Sequence, residues 1–182
     1  ALLRALVRHL VDQNELERAA ALYEKAVAAR AGEKPSTTDV VMWMELGQFH
    51  FVAGAYAKAA EQFARVLEAL DHPDQYDLDD RARKVLLSDG GATYQAIGES
   101  FFLAGRYPEA MAVFQKAHES APNQALLDFH RARVLARSGK PDEAAEALEA
   151  CLQAGLTDRG AEPYALLAEP VSYTHLTLPT IY

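Results

Sequence analysis

The stretch "YQAIGESFFLAGRYPEAMAVFQKAHESAP", residues 94–122, decides how the rest of the chain is read. It holds two segments whose apolar residues recur three and four apart, the signature of helices that bury one stripe. Between them lies "AGRYP". Gly105 there can take the left-handed conformation that ends a helix, and Pro108 suits the first turn of the next one, where a missing N–H costs no hydrogen bond. Gly98 falls inside the first segment, where a glycine costs about 0.5–1 kcal/mol relative to alanine. Close approach of a second helix is the compensation expected.

The same pattern recurs on both sides. "WMELGQFHFVAGAYAKAAEQFARVLEAL" fills residues 43–70, and "DFHRARVLARSGKPDEAAEALEACLQAGL" fills residues 128–156. Gly54, Gly105 and Gly139 coincide, as do Ala59, Ala110 and Ala144, and Phe63, Phe114 and Leu148. Tyr94 and Asp128 are 34 residues apart, whereas Trp43 and Tyr94 are 51 apart, which is one period plus an insertion. Near the start, Ala19, Tyr23 and Ala26 match Ala59, Phe63 and Val66. Every aromatic at these positions reads first as core packing, and Phe63 and Phe114 are expected to fill the space between neighbouring helix pairs.

A 34-residue period with the order W-x2-L-G-x2-Y…A-x3-F…P resembles the tetratricopeptide repeat family. Here the order reads Trp43, Leu46, Gly47, His50, Ala59, Phe63, and one copy later Tyr94, Ile97, Gly98, Phe101, Ala110, Phe114, Pro122. The resemblance covers residues 1–156. The last copy departs from it: Asp128 and Arg131 stand where large apolar residues are usual, so its first helix is expected to be shifted or to serve another contact. The resemblance implies an all-α fold, a right-handed superhelical solenoid of antiparallel helix pairs, with about four repeats and a truncated fifth. The expected divisions are repeat 1 over 1–33, a linker over 34–39, repeat 2 over 40–73, and an insertion with a short helix over 74–90. Repeat 3 follows over 91–124, repeat 4 over 125–158, and the start of a truncated fifth repeat over 159–170.

Pro35 breaks the chain in "KPSTTD", where Thr38 or Asp39 is expected to cap the next helix. In the insertion, "LDDRARKVLL" is helical by pattern, with Asp79 and Asp80 at the end that favours acids. The acidic run from Asp71 to Asp80 lacks the order and the distal Glu of a calcium loop, so a solvated capping loop is expected.

Bulk properties narrow the function. A net charge of −8 without a basic stripe is a poor match for nucleic acid, and the same acidity disfavours an RNA-binding helical repeat. No apolar run approaches the roughly 20 residues that a membrane helix needs. The single cysteine excludes an internal disulfide framework and fits a reducing, cytoplasm-like compartment. None of the six histidines forms an H-E-x-x-H pair or zinc spacing with Cys151. His50 holds a packing position and Cys151 a small-residue position, so a buried structural thiol is expected rather than a nucleophile. With no Gly-rich phosphate loop either, no enzyme chemistry, cofactor or metal is expected.

What the resemblance implies is a binding surface: the first helix of each pair lines a groove that holds a peptide or helix of a partner protein. Carried over by position, that set is Arg4, Arg8, Val11 and Asp12 in repeat 1, then Val41, Met44, Gln48, Phe51 and Val52 in repeat 2. Repeat 3 supplies Ala92, Gln95, Glu99, Phe102 and Leu103, and repeat 4 supplies Leu126, Phe129, Arg133 and Arg137. Arginine and aromatic residues are enriched at interfaces, while packing on the next helix pair is the competing role for the three phenylalanines. Relatives that clamp a chaperone C-terminus use Lys and Asn, and Gln48 and Glu99 at the matching positions argue against that role. The expectation is a non-enzymatic interaction scaffold; the alternative is an accessory array of a larger enzyme whose catalytic domain lies elsewhere.

The ending "VSYTHLTLPTIY", residues 171–182, has no charged residue in a chain that is 24% charged. Residues 171–180 back-translate, with permitted codons, to a string resembling a sequencing-library transposase adapter. A non-native tail is therefore expected, with the native sequence stopping near Glu169 or Pro170. Tyr173 and His175 receive no function.

Overall fold

A computed structural model describes residues 2–30, 32, 34–155 and 163. The expected fifth repeat, apart from Pro163, and the expected non-native tail lie outside the described residues. Two compact units divide the chain, residues 1–121 and residues 122–182. Among the described residues the fold is all-α, built from neighbouring helix pairs of the kind the repeat pattern requires.

The first unit holds three pairs. They are α1 (Leu2–Asp12) with α2 (Leu16–Ala29), α3 (Thr37–Val52) with α4 (Tyr56–Asp71), and α6 (Gly90–Leu103) with α7 (Tyr107–Ser120). Between the second and third pairs come a 3-10 turn (Pro73–Tyr76) and the short α5 (Asp80–Leu86). Helix α2 packs on α3 and α4 on α6, so each pair leans on the next. In the second unit α8 (Gln124–Arg137) pairs with α9 (Pro141–Gln153).

The turns inside the pairs share one geometry. Gly54, Gly105 and Gly139 have φ of +73°, +75° and +75°, and the following N–H reaches back five residues. Ala55 donates to His50 at 2.8 Å, Arg106 to Phe101 at 2.8 Å and Lys140 to Leu135 at 3.0 Å, which closes each first helix in a Schellman-type cap. Repeat 1 does the same with a non-glycine residue. Asn14 has φ +59°, and Glu15 N–H donates to Leu10 at 2.8 Å. Asparagine tolerates this region better than most residues.

First helices past the first pair begin on polar caps. The Asp89 side chain accepts from Ala92 N–H at 3.1 Å and Asn123 from Leu126 N–H at 3.0 Å. For α3 the cap is Ser36, not Thr38 or Asp39: Asp39 turns back to accept from Ser36 N–H at 2.8 Å. Asp79 caps α5 as its position suggested, accepting from Ala82 N–H at 2.7 Å.

Inside each pair the small residues and the ring fit as one unit. A Cβ on Gly47 would lie 2.6 Å from Cε1 of Phe63, and one on Gly98 would lie 2.6 Å from Cε1 of Phe114. Both rings therefore seat on the glycine of their own pair. In the fourth repeat Ala132 and Leu148 occupy the two positions, both buried in one cluster with Phe129, Ala147 and Cys151. The smaller Leu leaves room for the Cβ that the ring denies. Register there is not shifted, since Ala132 keeps its place and Gly139 its turn. Phe129 and His130 supply the buried bulk that Asp128 and Arg131 do not.

The insertion is anchored, not merely solvated. Leu78 is buried, and Tyr76 meets Trp43 edge-on at 6.0 Å. Asp77 accepts from Lys34 Nζ at 2.9 Å through its side chain and from the Thr37 hydroxyl at 2.6 Å through its carbonyl. The linker and the insertion, distant in sequence, are thus tied together across repeat 2.

Candidate functional site

In the first unit, the first helices bury one stripe against their partners and leave the other open. Arg8 on α1 and Gln48 on α3 are exposed, Met44 is buried, and Phe51 is half-buried with its ring 5.6 Å from Tyr56. The Arg4 side chain lies outside the described residues. On α6, Gln95 and Glu99 are half-buried. Phe102 is buried, its ring 5.7 Å from Tyr107. Phe51 and Phe102 each lean on the tyrosine that opens the second helix, which is what holds their rings near the turn.

The apolar surface sits beside those rings. Val52 is 68% exposed and Leu103 is 42% exposed, and the two occupy the same position one repeat apart. The other exposed large apolar side chains are Leu2, Leu6 and Val11 on α1 and Val85 on α5. None lies on a second helix among the described residues. In the second unit, Phe129 is buried with the Arg133 guanidinium 5.6 Å above its ring, and Arg137 is exposed.

His50 and Cys151 are packed into the interior of their helix pairs. His50 is buried, with Nε2 3.3 Å from Glu24 Oε1. Burial lowers its pKa below 6.5, and Glu24 opposes that shift only in part. Lys58 reaches the same carboxylate at 3.2 Å. Cys151 is fully buried, and burial pushes its thiol pKa up, away from the nucleophilic form. No cluster of His, Cys, Asp and Glu suited to a metal ion occurs among the described residues.

One hollow lies apart from the positions implied by the resemblance. It has a volume of about 440 Å³ and lies between α2, the linker, α3 and α4. Arg30 and Asp39 form one wall, with Arg30 Nε donating to Asp39 Oδ1 at 2.5 Å and Nη2 to Oδ2 at 3.1 Å. The Arg30 guanidinium, first among several causes, holds the Asp39 pKa at about 2. Trp43, Gln62 and Arg65 form another wall, with the Arg65 guanidinium 5.6 Å from the indole centroid. The Trp43 indole N–H and the Gln62 side-chain oxygen are buried with no hydrogen-bond partner among the described residues. Nothing local in the sequence marks this place. Trp43 stands at a packing position, and the repeat pattern gives Gln62 and Arg65 no role.

Two tetratricopeptide repeat models match the chain, one over residues 4–72 and one over residues 101–169. No curated protein matches it. No helix among the described residues is long and apolar enough to cross a membrane. Tetratricopeptide repeats generally mediate protein–protein interaction by binding proteins or peptides, and the fold is typically a non-catalytic module. The period, the glycine turns, the ring-on-glycine packing and both matches agree, and the chain belongs to the tetratricopeptide repeat family.

Proposed function

We propose that residues 1–121 act as a non-enzymatic scaffold that holds a helix or extended peptide of a partner protein against the open face of α1, α3 and α6. The observation that carries this reading is the repeated exposure of an apolar residue at one position, Val52 and then Leu103, beside exposed Gln48 and half-buried Gln95. A monomer gains nothing from such a stripe, whereas a partner surface gains from burying it. Arg8 and Glu99 supply charges at its borders, and Phe51 and Phe102 stiffen the apolar floor from behind. In the second unit, Arg133 and Arg137, one helical turn apart, suit an acidic segment of the same class of partner.

The test is affinity capture with the wild-type chain, Val52→Asp, Leu103→Asp and, as a control on the exposed face of a second helix, Gln115→Ala. Burying a carboxylate in an apolar contact should cut specific recovery by about tenfold or more. The control should recover as much as wild type. Undiminished recovery by both aspartate variants, each with wild-type circular dichroism, would sink the assignment.

A further inference from the structure

The hollow between α2, α3 and α4 carries an inference of its own. Of its charged lining residues, Asp39 is occupied by Arg30 and Ser36 at 2.5 to 3.1 Å. Glu24 is occupied by Lys58 and His50 at 3.2 and 3.3 Å. Arg65 has no carboxylate partner among the described residues and rests only over the Trp43 ring. Among the described residues the hollow therefore presents one uncommitted cation. Its wall also holds a donor and an acceptor without a partner among the described residues, the Trp43 indole N–H and the Gln62 side-chain oxygen, both covered in the unliganded chain. Trp43 is only 8% exposed, so solvent does not satisfy that donor. The two groups are complementary and line the same space, yet they do not bond to each other.

A free phosphate or sulfate offers acceptors alone and would leave Gln62 unanswered. A peptide unit offers both: its carbonyl accepts from the indole, and its N–H donates to the amide oxygen. A neighbouring carboxylate would pair with Arg65, and binding would have to open the wall enough to expose the indole N–H and the Gln62 oxygen. Val27, Ala28, Pro35 and Leu46 supply apolar lining. The volume falls within the roughly 300–1,000 Å³ of ordinary ligand pockets. We propose that this hollow is a second recognition site, distinct from the open first-helix face, that takes an extended acidic segment of a partner protein.

The sequence has one tryptophan, so a ¹⁵N-labelled chain gives one indole cross-peak, and that peak reports Trp43 directly. The full chain is titrated with acetyl-Ala-Glu-Ala-amide. The expected result is a saturable downfield shift of the indole proton, with apparent affinity weakened about fivefold or more by Arg65→Gln, by Gln62→Leu, or by the glutamine analogue of the peptide. Arg65 is exposed, so Arg65→Gln should keep the backbone amide spectrum of the wild type. An indole peak that does not move in the folded chain would overturn the proposal. So would an equal response to the glutamine peptide, or an undiminished response in Arg65→Gln. Inorganic phosphate reproducing the shift at equal concentration would reassign the hollow to a free anion and also overturn it.

Discussion

Replacing Gly98 by alanine tests the ring-on-glycine packing most directly. On an ordinary helix this change stabilises by about 0.5–1 kcal/mol. Here the new Cβ would meet Phe114 Cε1 at 2.6 Å and Cδ1 at 2.7 Å. Phe114 is fully buried, so its ring cannot swing into solvent. Overpacking of this kind costs about 1–3 kcal/mol, and the net effect of Gly98→Ala should be a loss of roughly 0.5–2 kcal/mol once the helix-propensity gain is subtracted. The fourth repeat shows the compensating change, Ala132 with Leu148. Phe114→Leu alone should destabilise by leaving a gap, and Gly98→Ala should cost much less in that background than in wild type. The double-mutant cycle should give a favourable coupling of about 1–2 kcal/mol. Urea unfolding followed by far-UV circular dichroism measures all four chains, with the midpoints compared at constant slope. A neutral or stabilising Gly98→Ala in the presence of Phe114, with no coupling in the cycle, would refute the packing argument.

Three further outcomes follow from named contacts. The Asp39 pKa falls from 3.8 to about 2 on folding, so its contribution of roughly 2 kcal/mol is present above pH 4 and fades as the pH drops toward 2; Asp39→Asn should remove it and flatten the acid limb of a stability–pH curve. The His50 pKa is lowered on folding, so the unfolded chain binds the extra proton and stability should decline as the pH falls through 6.5; His50→Phe should lessen that slope in urea titrations at pH 7.5 and 5.5. At Gly105, with φ of +75°, alanine should cost about 1–2 kcal/mol and asparagine clearly less, as Asn14 suggests, and thermal melts of the two variants should rank them in that order.

The features legible in the sequence are those fixed within one helix pair. Gly54, Gly105 and Gly139 could be read because a left-handed residue is needed at one place in every copy, and Gly47 and Gly98 because an interior glycine demands a reason. Asn14 escaped because its residue type differs although its φ does not. The anchoring of Asp77 to Lys34 and Thr37 escaped because it joins segments about 40 residues apart, and no local pattern announces such a contact. Position alone could name Phe51 and Phe102 but could not say how far each sinks, since equivalent contacts to Tyr56 and Tyr107 leave one ring half-buried and the other buried. Trp43 was legible as a core residue, whereas the unsatisfied state of its indole depends on what three other segments fail to offer it.

The contacts of Asp77 also bear on how the chain carries load. A solenoid pulled from its ends transmits tension along its backbone, one hairpin after the next. Lys34 and Thr37 lie just before or at the start of α3, and Asp77 lies just past the 3-10 turn that follows α4. While these side chains hold, tension arriving at the linker has a short route to the insertion that bypasses both helices of repeat 2. The second pair thus sits inside a loop closed by two exposed contacts, which are weak enough to open before the packed helices separate.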